Sequence, residues 1–162
     1  LVGHLQSNKV KYIAPFISLI HSIDSLSLLQ EVNKQAAKHN RVIDCLLQLS
    51  IADEDTKYGL DLDEAIVLLS SAEYLALKNI KIVGVMGIAT NTANPKQTKD
   101  EFYELNMFFQ GLKQSFFRND SSFKEISMGM SNDYPIAIEQ GSTMVRLGSS
   151  IFGQRKNLLS SN

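Results

Sequence analysis

Apolar segments alternating with amphipathic ones place this sequence in the α/β class, as a parallel sheet whose strands are joined by helices. Three observations carry that expectation. Ile43 to Ile51 is apolar almost throughout, the pattern of a strand covered on both faces. Phe102, Leu105, Phe109, Leu112 and Phe116 recur at helical spacing and mark a single stripe along one helix. Glu125 to Ser131 and Gly141 to Gly153 read as strand, loop, short helix, strand and Gly-Ser-Ser turn, the way an α/β protein builds a phosphate cradle beside a buried arginine.

The elements follow in order. Leu1 to His4 reads as the end of a strand already in progress, so an amino-terminal part is expected to precede it. Gln6 to Ala14 is a helix stopped by Pro15, which lacks a donor and disfavours helix in the residue before it. Ser18 to Ile23 is a strand. Asp24 or Ser25 then caps a helix with Leu28 or Leu29, Val32 and Ala36 inward, ending near His39 and Asn40. The strand Ile43 to Ile51 leaves through a charged loop, Ala52 to Gly59. Asp61 or Asp63 caps the next helix, with Ala65, Ile66 and Leu69 facing the core. Ile80 to Ile88 is a strand, Thr98 to Phe117 the clearest helix, and Ile126 to Met128, Pro135 to Gln140 and Met144 to Leu147 are strand, short helix and strand. That makes six strands in one domain spanning 1–162. The sheet is either open or closed into a barrel, and a complete (β/α)₈ barrel of about 250 residues would need two more units.

A chain of 162 residues with 44% hydrophobic side chains can bury a sizeable core. Its 16 basic and 17 acidic residues are balanced and scattered, which excludes the electrostatic footprint of a nucleic-acid or membrane-surface binder and leaves small-molecule or protein partners. The single Cys45 excludes an internal disulfide framework; it reads as a small buried hydrophobe in a reducing compartment. No apolar run approaches the roughly 18 residues of a membrane span, and no basic-then-apolar signal opens the chain, so a cytoplasmic location is expected.

Ligands of parallel α/β folds sit at the carboxyl ends of the strands. Gly148, Ser149 and Ser150 follow an apolar strand and can aim backbone N–H groups and a hydroxyl at a phosphate, with Ser131 at the neighbouring strand exit donating from the other side. Arg146 ends a short strand expected to be an inner one; it either reaches solvent or a carboxylate or, where buried, its guanidinium, which cannot lose its proton, is paired or bound to a ligand. Neither a Walker sequence nor G-x-G-x-x-G is present. His4, His21 and His39 show no metal spacing, and His21 reads as a satisfied core histidine. Lys57 is either an exposed loop lysine or a cation close to the anion.

At these residues the sequence resembles the pyridoxal phosphate (PLP) homeostasis proteins of the YggS/PROSC type, whose barrel is that of the alanine racemase amino-terminal domain. The likeness lies in Gly3-His-Leu-Gln-Ser-Asn-Lys9, His21-Ser-Ile-Asp24, Lys57-Tyr-Gly59, Gly84-Val-Met-Gly-Ile88, Ser127-Met-Gly-Met-Ser131 and Gly141 to Gly153, and so runs the length of the chain. It implies an incomplete PLP-binding TIM-type barrel of about six of eight strands. It further implies that Ser131 and the backbone of Gly148 and Ser149 hold the cofactor phosphate. Arg146 then faces the pyridine nitrogen, Met86 lies near the ring and Asn8 near the pocket rim. None of the 12 lysines matches the family's covalent lysine, which is expected in the segment before Leu1.

A permanent cation beside the pyridine nitrogen disfavours its protonation and weakens the ring as an electron sink. The resemblance therefore implies a protein that holds PLP and hands it to apo-enzymes, as a monomer or weak dimer with no firm catalytic activity. An amino-acid racemase of the same fold, or an interaction fragment that binds no cofactor, are the alternatives.

Overall fold

The computed structural model describes residues 1–53 and 58–153. Five strands form one sheet in the order in which they occur: β1 Leu19–Ile23, β2 Ile43–Gln48, β3 Ile80–Met86, β4 Glu125–Met130 and β5 Met144–Arg146. Every neighbouring pair is parallel. Because each strand pairs with the next and no strand is inserted between, the sheet is a run of successive barrel staves, a half-barrel.

Six strands were expected, and five are present among the described residues. The segment expected as the first strand lies along the free edge of β1, where the Leu1 amine donates to the Leu19 carbonyl and His21 N–H to the Leu1 carbonyl. Ser22 Oγ adds a bond to the Gly3 carbonyl. The segment then turns away into a 3-10 turn, Ser7–Lys9, before a ladder can form.

The helices start where capping chemistry allows. After α1, Val10–Ile13, α2 spans Leu26–Lys38 with the Ser25 hydroxyl accepting from Leu28 N–H. α3, Leu62–Ser70, opens on a capping box in which Asp61 and Glu64 satisfy each other's backbone N–H groups. Its inward residues are Ala65, Leu68 and Leu69; Ile66, expected inward, is 39% exposed. A helix period starting at Ala65 returns to the same face at 68 and 69, so a neighbouring isoleucine points aside whatever its hydrophobicity. α4 is Ala72–Leu75. α5, Pro95–Phe116, starts three residues before the expected Thr98, because Asn94 caps it and Pro95 fits its first turn. Phe102, Leu105, Phe109 and Leu112 are buried as expected, while Phe116 at the frayed end is 36% exposed. α6, Tyr134–Glu139, and α7, Ser149–Phe152, follow β4 and β5.

Both faces of the central strands are covered. Ile43, Cys45 and Leu47 of β2 join the large core under the helices, whereas Leu46 packs with Val83 and Met86 on the opposite face. At the base of β4, Phe123 lies between Phe109 and Phe117, stacked at centroid distances of 4.9 and 4.1 Å. Each such pair adds about 0.5–1.5 kcal/mol beyond its buried area and pins the α5–β4 connection. β3 and β4 approach so closely at Gly84 that any Cβ there would collide with the Glu125 carbonyl.

Candidate functional site

β5 is fastened to β4 by small hydroxyl residues on the turn between α6 and β5, which bond to the body of β4 and the start of β5. Ser142 Oγ contacts the carbonyls of Met128 at 2.7 Å and Met144 at 3.1 Å. Thr143 Oγ1 accepts from Ile126 N–H at 2.8 Å. β5, only three residues long, is thereby held against β4, with Arg146 in register with Met130.

The exit of β4 turns sharply at Gly129, whose φ of 94° belongs to the region glycine tolerates. Asp133 holds the following turn, its carboxylate accepting from Met130 N–H and its own N–H donating to the Met130 carbonyl. This turn carries Ser131 to the start of α7, where its hydroxyl oxygen accepts from Gly148 N–H and Ser150 N–H, each at 3.3 Å. A Cβ built at Gly148 meets no heavy atom within 4 Å, so the space above the turn is open. A hydroxyl and backbone N–H groups thus converge from two adjacent strand exits, a donor set suited to a phosphate.

Arg146 extends from β5 across the middle of β4 to the exit of β3. Its Nη1 donates to the Ser127 carbonyl at 2.8 Å and the Ser127 hydroxyl at 2.9 Å, and its Nη2 donates to the Gly87 carbonyl at 2.9 Å. All three partners are neutral. Burial lowers the pKa of the guanidinium and the carboxylate of Asp133 opposes the shift, but a guanidinium this basic keeps its charge at any working pH. Its remaining N–H donors have no hydrogen-bond acceptor among the described residues.

Ser127 is fully buried and also touches His21, with Nδ1 2.9 Å from Oγ. His21 is 6% exposed, and its pKa falls to about 4, first through burial and then through the positive charges of the Leu1 amine and Arg146. The imidazole is therefore neutral near pH 7.

Of the residues singled out in the sequence, Ser131, Gly148 and Arg146 share this corner. Ser149 N–H lies between the two N–H groups that reach Ser131 and makes no hydrogen bond among the described residues. Met86 is fully buried against Leu46 and Val83, one residue before the Gly87 carbonyl that Arg146 grips. Asn8 is exposed in the 3-10 turn, without a hydrogen bond to the other site residues. Lys57 lies outside the described residues. Sequence reading did not single out Ser127 or Gly87, whereas Ser150, expected beside the phosphate, joins the corner through its N–H. The available signal was alternation: Ser127 and Gly129 are the small residues among the larger Ile126, Met128 and Met130, and so occupy one face of β4.

Among the described residues, no group of three or more histidine, cysteine or acidic side chains could hold a metal ion, and no helix is long and apolar enough to cross a membrane.

The family model "Alanine racemase, N-terminal domain" matches residues 1–156. The pyridoxal phosphate homeostasis protein of Aquifex aeolicus is 38% identical over 156 residues, covering 96% of this chain and 66% of the relative. The protein of the same name from Synechocystis is 36% identical over 154 residues, covering 95% and 68%. PipY of Synechococcus elongatus superposes with a TM-score of 0.85 at 31% identity without PLP, and 0.80 at 30% identity with PLP bound, covering 94% of this chain and 69% of PipY in both cases. The chain thus spans about two thirds of the length of the curated relatives it matches.

Proposed function

Because the chain belongs to the alanine racemase N-terminal-domain family, within the pyridoxal phosphate homeostasis proteins, we propose that it binds PLP at the ends of β4 and β5 and serves to hold and pass on that cofactor. The observation that carries this reading is the pairing of two unlike donor sets in one corner. The Ser131 hydroxyl and the N–H groups of Gly148, Ser149 and Ser150 suit the phosphate. The Arg146 guanidinium, held only by neutral acceptors, suits the lone pair of an unprotonated pyridine nitrogen.

When bound, PLP supplies a ring that withdraws electrons strongly only if its nitrogen is protonated. Arg146 opposes that protonation, since an always-charged donor stabilises the lone pair and repels a second positive charge. Ser131 and the turn at Gly148 fix the phosphate end, and Met86 forms part of the apolar floor below Gly87. In this reading these residues bind and orient the cofactor. Delivery to apo-enzymes in the cytoplasm, by a monomer or weak dimer that binds neither nucleic acid nor membrane, completes the reading. The buried, unpaired Cys45 and the balanced charge support that setting.

Titration with PLP, followed by fluorescence quenching and by competition with inorganic phosphate, tests the proposal. Saturable uptake that phosphate displaces is expected, with no exchange of the α-proton of alanine or serine. A folded protein that takes up no PLP would overturn the binding reading, and catalysed α-proton exchange would favour a racemase-like enzyme instead.

A further inference from the structure

His21 and Ser127 lie beneath Arg146 and have no part in the phosphate grip. They form a continuous line: His21 Nδ1 is 2.9 Å from Ser127 Oγ, which is 2.9 Å from Arg146 Nη1. The directions of these bonds follow from the chemistry. A guanidinium only donates, so Ser127 Oγ accepts from Arg146. Ser127 is fully buried, so its single hydroxyl proton cannot turn to water, and the acceptor within reach is His21 Nδ1. Nδ1 is then unprotonated and the imidazole carries its proton on Nε2, an assignment made from the network.

We propose that His21, acting through Ser127, is a positioning residue that locks the Arg146 guanidinium in place with an uncharged acceptor, so that its charge stays directed at the ligand. A serine hydroxyl has three staggered rotamers. The one present sets Oγ within hydrogen-bond distance of both His21 Nδ1 and Arg146 Nη1. Remove the imidazole, and the hydroxyl is free to seek a backbone carbonyl, leaving the guanidinium on the Ser127 and Gly87 carbonyls alone. An aspartate at position 21 would hold the serine equally well but would neutralise the charge above it; the histidine supplies the acceptor without the countercharge. Among the described residues no carboxylate hydrogen-bonds to any of the three.

The cofactor part of this inference rests on the PLP reading above; the line of hydrogen bonds does not. The two are tested apart. Long-range ¹H–¹⁵N spectra of ¹⁵N-histidine-labelled protein without cofactor should show His21 with Nδ1 unprotonated and Nε2 protonated at pH 7, with that preference lost in Ser127→Ala. An Nδ1–H tautomer or an imidazolium would overturn the relay. With PLP, His21→Leu should weaken binding about tenfold, the worth of one hydrogen bond to a charged group, and reduce the induced circular dichroism of the cofactor. Its affinity for inorganic phosphate should stay within about twofold.

His21→Asn places an amide oxygen close to the position of Nδ1 and should restore both PLP signals. Equal loss of PLP and phosphate in His21→Leu, no loss of either, or failure of His21→Asn to differ from His21→Leu would overturn the positioning role. If the unaltered protein takes up no PLP, the functional reading falls, and the spectra still decide the relay.

Discussion

Arg146 grips Ser127 at two oxygens at once, its Nη1 lying 2.8 Å from the carbonyl and 2.9 Å from the hydroxyl. A third bond, from Nη2 to the Gly87 carbonyl, carries the same side chain across to the exit of β3. One guanidinium thus ties β5 to the middle of β4 and the exit of β3, which makes it a structural clamp as well as a charge.

Arg146→Lys should separate those two roles. An ammonium keeps the charge but has no planar fork, so it cannot meet the Ser127 and Gly87 oxygens together. Loss of about 1–2 kcal/mol in urea unfolding is expected, with PLP affinity down about tenfold. Arg146→Met also leaves carbonyls without a donor and should cost about 2–3 kcal/mol. A lysine variant equal to the unaltered protein in both measurements would show that neither the fork nor the clamp matters.

Gly129→Ala tests how the phosphate corner is built. With φ at 94°, a Cβ at this position is strained and would sit 2.6 Å from the Ala137 methyl and 3.0 Å from the Tyr134 Cα. Relief requires α6 to move, and with it the turn that holds Ser131. The variant should lose about 2 kcal/mol or more of stability. Inorganic phosphate binding should weaken with it, while the His21–Ser127 line two residues upstream keeps its Nε2–H tautomer. Unchanged phosphate affinity in a destabilised variant would separate Ser131 from the anion site.

Much of this arrangement was legible in the residues, because helix stripes and two-faced strands depend on local periodicity. The stripe from Phe102 to Leu112 is buried as its spacing requires, and Ser25 and Asp61 cap the helices they precede. Leu1 to His4, expected as a strand, finds its partner in the edge of β1, but its backbone pairs there through Leu1 alone, too little to make a ladder. The cluster under Arg146 was legible only in part. His21, Gly87, Ser127 and Arg146 come from four segments, and nothing in the spacing of one encodes its distance to another. His21 was read as a satisfied core histidine, and it is satisfied; that its partner would be a serine already holding an arginine is a matter of sheet register.

Glu101 is the buried carboxylate that organises the neighbouring loop. Only 7% exposed, it accepts from Thr90 N–H and Thr90 Oγ1, both at 2.7 Å, and from Gln97 Nε2 at 3.1 Å, while Thr90 Oγ1 accepts from Asp53 N–H. It joins α5 to the exits of β2 and β3. Glu101→Ala should cost about 2–3 kcal/mol, and Glu101→Gln, which sets an amide donor against other donors, about 1 kcal/mol. The local signature is faster hydrogen exchange at the Thr90 amide. If that amide keeps its protection in Glu101→Ala, the carboxylate is not what orders the loop.

His21 gives the protein a defined acid dependence. Its pKa is lowered to about 4 in the folded chain, against about 6.5 for an unperturbed imidazole, because burial first and the nearby Arg146 also penalise the imidazolium. As pH falls from 7, the unfolded chain takes up this proton first. Between about pH 6.5 and 4 it therefore binds more protons than the folded chain, and stability drops through that window. Below about pH 4 both states are protonated and the dependence from this group ends. The contribution is on the order of 2 kcal/mol, after allowance for residual solvent access. Other titrating groups cancel in a comparison with His21→Asn, so the stability advantage of the unaltered protein over the variant should shrink by about 2 kcal/mol between pH 7 and pH 4. Parallel stability curves would mean that His21 titrates like an exposed histidine. Its Nδ1 would then be protonated near pH 6, lose its role as the acceptor for Ser127, and release Arg146 in a range where the folded protein is expected to keep it fixed.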